Sequence, residues 1–146
     1  MNRFRPEVEL LLRNAGWYPS RDVANRVKAW QEVLASPSGF AMTSAASDVL
    51  REFGGLHVKS SGAGAGFASA DINFDPALAQ GEEDRFSWFI PFRERKVFPL
   101  GEVSGGHLFL GIDQEGLCYV LMDDLYWERV PFLQAIEALL LGIRPV

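Results

Sequence analysis

One cysteine, Cys118, in 146 residues leaves no partner for an internal disulfide, so the chain is expected to suit a reducing compartment and to rely on its core. No uninterrupted apolar run approaches the roughly 18 residues of a membrane-spanning helix. The N-terminal stretch carries Glu7 and Glu9 within its short apolar run and no small-residue cleavage site, which is not a signal-peptide pattern. A cytoplasmic location is the expectation. Histidine is scarce as well: His57 and His107 stand singly in strand-like patterns, with no HxH, HxxxH or HExxH partner to share a metal. There is no Gly-x-Ser-x-Gly elbow, and the glycine-rich segment 60–66 lacks the Gly-Lys-Ser/Thr of a phosphate loop, so it reads as a loop tip. Cys118 lies in the apolar run 117–122, the setting of a buried structural thiol rather than a nucleophile. Asp123-Asp124 lacks the further oxygen ligands of a calcium loop. No catalytic residue, metal or cofactor is therefore expected.

What the chain does contain is an ordinary globular composition, 48% hydrophobic and 23% charged, at a length that suits one domain over 1–146. The net charge of −5 is unevenly placed. Residues 1–66 hold eight basic and six acidic side chains, whereas residues 67–146 hold six and thirteen. An acidic second half disfavours direct binding of nucleic acid and favours a basic protein partner, with solubility as the plainer explanation.

The organising stretch is Ser44 to Val58. Ala46, Val49, Leu50 and Phe53 make one apolar helix face, with Ser44 expected as N-cap and Gly54 as the left-handed residue that ends the helix. Leu56 and Val58 then alternate with His57 and Lys59, as in a strand with one buried face. Phe53 and Leu56 are thus expected in one core. Upstream, Pro6 opens a helix with Val8, Leu11, Leu12 and Ala15 inward, and Val23, Val27, Trp30 and Leu34 mark a second helix with Asp22 as its cap and residues 36–39 as its stop. Downstream, residues 77–89 are ambiguous between a short helix and an irregular crossing. Short strands follow at 97–100, 107–112, 117–121 and 125–130, with 113–116 as a hairpin turn. Pro131 starts a last helix over 132–141, closed by Gly142, whose wide apolar stripe implies deep burial or a contact surface. Helices, a meander and a closing helix give an α+β fold, helices packed on a mostly antiparallel sheet.

The order of short motifs along the chain resembles a known family. Leu11-Leu12-Arg13-Asn14-Ala15-Gly16-Trp17-Tyr18-Pro19-Ser20-Arg21, Leu50-Arg51-Glu52-Phe53-Gly54-Gly55-Leu56, Phe74-Asp75-Pro76, Gly81-Glu82, Phe98-Pro99-Leu100-Gly101-Glu102, Ile112-Asp113, the stretch from Gly116 to Leu121 and the terminal Ala135-Ile136-Glu137-Ala138-Leu139-Leu140-Leu141-Gly142 are similar to the third subfamily of the SUKH superfamily. Two positions depart from the pattern. Ser20-Arg21 stands where the resemblance implies Gly-Arg, and Leu117-Cys118 follows Gly116 where it implies a polar or basic residue and then valine.

The resemblance implies an α+β domain without catalytic residues. It further implies an immunity protein that binds and neutralises a polymorphic toxin, often a nuclease, with an intracellular regulatory binding module as the alternative. A secreted toxin encoded in the adjacent reading frame would favour the first reading, and its absence the second. The cognate toxin, expected to be basic, is assigned to the acidic side: Glu82, Glu83, Asp84, Asp123 and Asp124 as charges, Trp88 and Trp127 as aromatic anchors. The competing reading makes both tryptophans core residues and the charges loop solvation.

Overall fold

Proline has a fixed φ and no N–H to leave unpaired, which suits a first helical turn, and Pro6 opens α1 (Pro6–Asn14). The structure is a computed structural model that describes residues 3–35, 40–60, 69–89 and 96–143, without the side chains of 87–89. The expected stop at 36–39 and nearly all of the glycine-rich segment 60–66 lie outside the described residues. Val8 and Leu12 are buried on α1 as their spacing predicts, while Leu11 is half-buried. α2 (Ala24–Ala35) buries Val27, Trp30 and Leu34. Val23 lies just ahead of α2, its carbonyl accepting from the Arg26 and Val27 N–H groups, and Asp22 accepts from the Ala24 N–H at 3.0 Å. α3 (Ser44–Phe53) buries Ala46, Leu50 and Phe53. Its cap is Thr43 rather than the expected Ser44, because the Thr43 hydroxyl is the one that accepts from the Ala46 N–H, at 3.2 Å.

The left-handed role expected of Gly54 falls to the next glycine. Gly54 has an ordinary φ of −57°, and the left-handed residue is Gly55 at +85°. Gly54 is needed for space instead: a Cβ there would stand 2.5 Å from the Leu50 carbonyl oxygen and 2.6 Å from the Trp30 ring. The corner is then tied to the sheet, since the Gly55 N–H donates to the Phe74 carbonyl at 2.7 Å and the Phe74 N–H to the Leu56 carbonyl at 2.8 Å. Phe53 and Leu56 both enter the core, as expected. The Phe53 ring meets those of Phe4, Phe74 and Phe132 at 6.0, 5.9 and 5.1 Å between centroids. Such contacts contribute about 0.5–1.5 kcal/mol each beyond the area they bury.

Six strands follow: β1 (His57–Val58), β2 (Ile72–Asn73), β3 (Phe98–Val103), β4 (Leu108–Ile112), β5 (Leu117–Leu121) and β6 (Leu125–Pro131). They lie side by side in chain order, and every pair is antiparallel. His57 is exposed and Val58 buried, as the alternation predicts. β3 runs past the expected end at residue 100 because a bulge between Pro99 and Gly101 absorbs the irregularity. β6 is an edge strand, and two register shifts against β5 interrupt its ladder, with Arg129 held at a φ of +58°. Between β2 and β3 the ambiguous segment resolves into a 3-10 turn (Pro76–Ala79) and α4 (Glu83–Phe89). α5 (Phe132–Leu141) buries Ala135 and Ala138 in addition to Phe132, Ile136, Leu139 and Leu140, so its wide stripe reflects burial. The result is an α+β fold. Among the described residues, no helix is long and apolar enough to cross a membrane.

Candidate functional site

A nucleophile needs an exposed, acidified side chain beside a base, and the described residues do not supply one around Cys118. Its side chain is 1% exposed, and burial, with the nearby Asp113 charge second, pushes the thiol pKa up, away from the reactive thiolate. His57 lies four strands away on β1, and His107 is exposed in the β3–β4 turn, its Nδ1 donating to the Ser104 carbonyl. No group of three or more metal-ligating side chains gathers among the described residues.

The acidic stretches do come together, through a residue that sequence reasoning missed. Arg85 on α4 donates from Nε to Glu82 at 3.0 Å, and from Nη1 to the Met122 carbonyl at 2.9 Å and to Asp123 at 3.1 Å. One guanidinium therefore fastens the start of α4 to the β5–β6 turn. The turn is set locally: Asp124 accepts the Leu125 N–H at 2.8 Å, and the Met122 N–H donates to the Asp124 carbonyl at 3.0 Å. Asp84, Asp123 and Asp124 face solvent, the Asp123 side chain at 88% exposure, while Glu82 and Glu83 are half-buried.

Trp127 does not stand out as an anchor. It pairs with Val120 across the ladder and packs half-buried against the core, on the side it shares with Leu125, while Tyr126 and Glu128 alternate outward. Tyr126 beside it is the exposed aromatic, at 57%. The side chain of Trp88 lies outside the described residues.

A second feature occupies the helical side. Around Trp17, the turn after α1 and the end of α3 enclose a cleft of about 410 Å³. Glu52 receives hydrogen bonds from Arg3 at 2.8 Å and from the Trp17 indole N–H at 2.9 Å. Arg13 pairs with Glu9 at 3.1 Å and lies over the Trp17 ring, 5.2 Å from its centroid. Arg21 reaches across to the Glu52 and Gly54 carbonyls at 2.6 and 2.8 Å, closing the C-terminal end of α3.

These residues fall within a stretch that matches the family model of the SUKH-3 immunity protein over residues 4–142. The chain belongs to the SUKH-3 immunity protein family. No curated protein and no solved structure matches it. Membership accounts for one of the departures noted in the sequence. Ser20, standing where the resemblance implies glycine, has a φ of +71°, a left-handed conformation that glycine adopts without a Cβ clash. Ser20→Gly is therefore expected to raise the unfolding free energy by about 0.5–1 kcal/mol, the relieved strain exceeding glycine's larger unfolded-state entropy. Urea melts would show this as a higher midpoint at constant m-value, and a lower midpoint would mean that the serine hydroxyl matters more than the backbone.

Proposed function

We propose that this protein is an immunity protein that binds and neutralises a cognate toxin, a basic protein such as a nuclease, through the acidic end built by α4 and the β5–β6 turn. The family match over residues 4–142 supports the immunity role. The observation that favours this surface is the Arg85 bridge, which joins Glu82 to Asp123 and so brings the acidic stretches 82–84 and 123–124 together from distant parts of the chain. Such a concentration of one sign raises the encounter rate with a basic partner and repels wrong ones. Tyr126 takes the anchor role first assigned to Trp127, being large, exposed and adjacent to the turn. On this reading the protein works in the cytoplasm by occupying the toxin, with no turnover and no contact with nucleic acid. A free, buried thiol agrees with that compartment.

The test pairs the chain with the toxic domain encoded in the adjacent reading frame. Co-expression should protect cells stoichiometrically. Asp84→Lys combined with Asp123→Asn removes exposed negative charge while leaving Arg85 its Glu82 partner and an oxygen acceptor at position 123. The association rate at low salt should fall roughly tenfold and lose most of its salt dependence, with the thermal midpoint little changed. An unaltered rate and salt slope in the folded variant would remove this end from the interface.

A further inference from the structure

The cleft beside Trp17 is lined by three arginines, Arg3, Arg13 and Arg21, against two carboxylates. Both carboxylates on its wall are already engaged: Glu9 balances Arg13, and Glu52 balances Arg3 while also accepting from Trp17. Arg21 is different. Its hydrogen-bond partners are two neutral carbonyl oxygens, and no ion pair joins it to a carboxylate among the described residues. A guanidinium carries five N–H donors in a planar fork, so Arg21 keeps donors and a full charge that the cleft does not balance. Burial lowers the Arg21 pKa, Tyr18 opposing and Arg26 adding to the effect, which agrees with a cation short of counter-charge.

Two further observations mark the cleft as preformed. Trp17 is 7% exposed and fixed by both its indole hydrogen bond and the Arg13 stack, giving a rigid apolar wall beside the cation. Ser20, strained at +71°, lines this cleft and also an adjoining hollow of about 260 Å³ with Arg21 and Glu52. Strain held by a non-glycine residue at the mouth of a cleft is a signature of a working site. The volume suits one side chain or a small ligand held in a concave site.

We propose that this cleft is a second recognition site, which takes one carboxylate side chain, an aspartate or glutamate on a loop of the protein partner, with Arg21 as its counter-charge and Trp17 packing against the adjoining methylene. The inference rests on the reading of this chain as a protein-binding immunity protein. It adds that the partner is held at two places of opposite sign, since residues 1–66 are net basic and residues 67–146 net acidic. Such an arrangement fixes the orientation of the complex, because reversing the partner would place like charges together.

The experiment needs no toxin, so its outcome is separable from that of the neutralisation assay. The ¹⁵N-labelled full chain is titrated with acetyl-Gly-Asp-Gly-amide, with its Asn counterpart, and with chloride. The aspartyl peptide should shift the Trp17 indole and Arg21 Nε resonances saturably in the millimolar range, and the two controls should not. Arg21→Gln would also loosen the end of α3, so the diagnostic variant is Ser20→Glu, which supplies a tethered carboxylate at the cleft and leaves the Arg21 clamp intact. In that variant the affinity for the aspartyl peptide should fall roughly tenfold at an unchanged thermal midpoint. Equal shifts from the asparaginyl peptide or from chloride, no shift at all, or undiminished binding to Ser20→Glu would each overturn the proposal.

Discussion

Gly54→Ala should lower the unfolding free energy by about 2–4 kcal/mol, seen as a lower urea midpoint at unchanged m-value. The added methyl meets the Leu50 carbonyl oxygen at 2.5 Å and two carbons of the Trp30 ring at 2.6 and 2.8 Å, neither of which can yield cheaply. Trp30 is 7% exposed and lies under the Arg26 guanidinium, 5.0 Å away, so displacing it disturbs the α2–α3 packing as well. Gly55→Ala, despite its positive φ, should cost less, about 1–2 kcal/mol, because the atom its methyl meets is the end of the flexible, exposed Arg26 side chain. The order of the two effects separates crowding from backbone strain as the reason for the Gly-Gly pair. Trp30→Phe, which removes the second ring, should rescue part of the Gly54→Ala loss in a double-mutant cycle, and strict additivity would discard this account.

The second large effect is expected at Asp113, which is fully buried. Its Oδ1 accepts the Glu115 and Leu117 N–H groups at 2.8 and 3.0 Å, and its Oδ2 accepts the Tyr119 hydroxyl at 2.8 Å. The carboxylate thus replaces water for the whole β4–β5 turn, while the Asp113 N–H donates to the Leu117 carbonyl at 2.9 Å to register the two strands. Asp113→Ala should cost about 3–5 kcal/mol, since charge-assisted bonds are lost and their donors lose a buried acceptor. Asp113→Asn, which keeps one acceptor oxygen of the same shape, should lose about half as much. Equal denaturation midpoints for the two variants would show that the shape Asn keeps counts for nothing and that the second, charged acceptor fixes the turn.

Much of this architecture is written locally. The Val8–Leu12 and Leu50–Phe53 spacings, the His57/Val58 alternation and the helix behind Pro131 each follow from a period that a few neighbouring residues set. What escaped depends on partners far along the chain. Gly54 is a glycine because Trp30 arrives above it, and nothing in the local sequence records that approach. β2 is only two residues long, and its place between β1 and β3 is defined by its ladder neighbours. The half-burial of Trp127 comes from its place opposite Val120 on β5, whereas the acidic residues beside it in sequence suggest an exposed side chain. For the candidate site the carboxylates were legible as clusters, but their convergence was not: Arg85 and Asp123 are 38 positions apart. Arg21 and Trp17 were visible as part of a motif, whereas the pairing state that leaves one cation unbalanced appears only when Glu9, Glu52 and the α3 carbonyls are placed.

The broken ladder of β6 bears on how a partner specificity could change over time. An intact edge would offer backbone N–H and C=O groups to any extended segment, a form of adhesion largely indifferent to side-chain identity. With two register shifts and a left-handed Arg129 along it, that edge is poorly shaped for a seventh strand, and β1 at the opposite edge is only two residues long. On the proposed reading, recognition is left to side chains such as Asp84, Asp123 and Tyr126, which stand outside the core and can be exchanged one at a time. The scaffold can therefore be inherited unchanged while its surface vocabulary is rewritten, so that a lineage can follow a diversifying adversary without putting its own folding at risk.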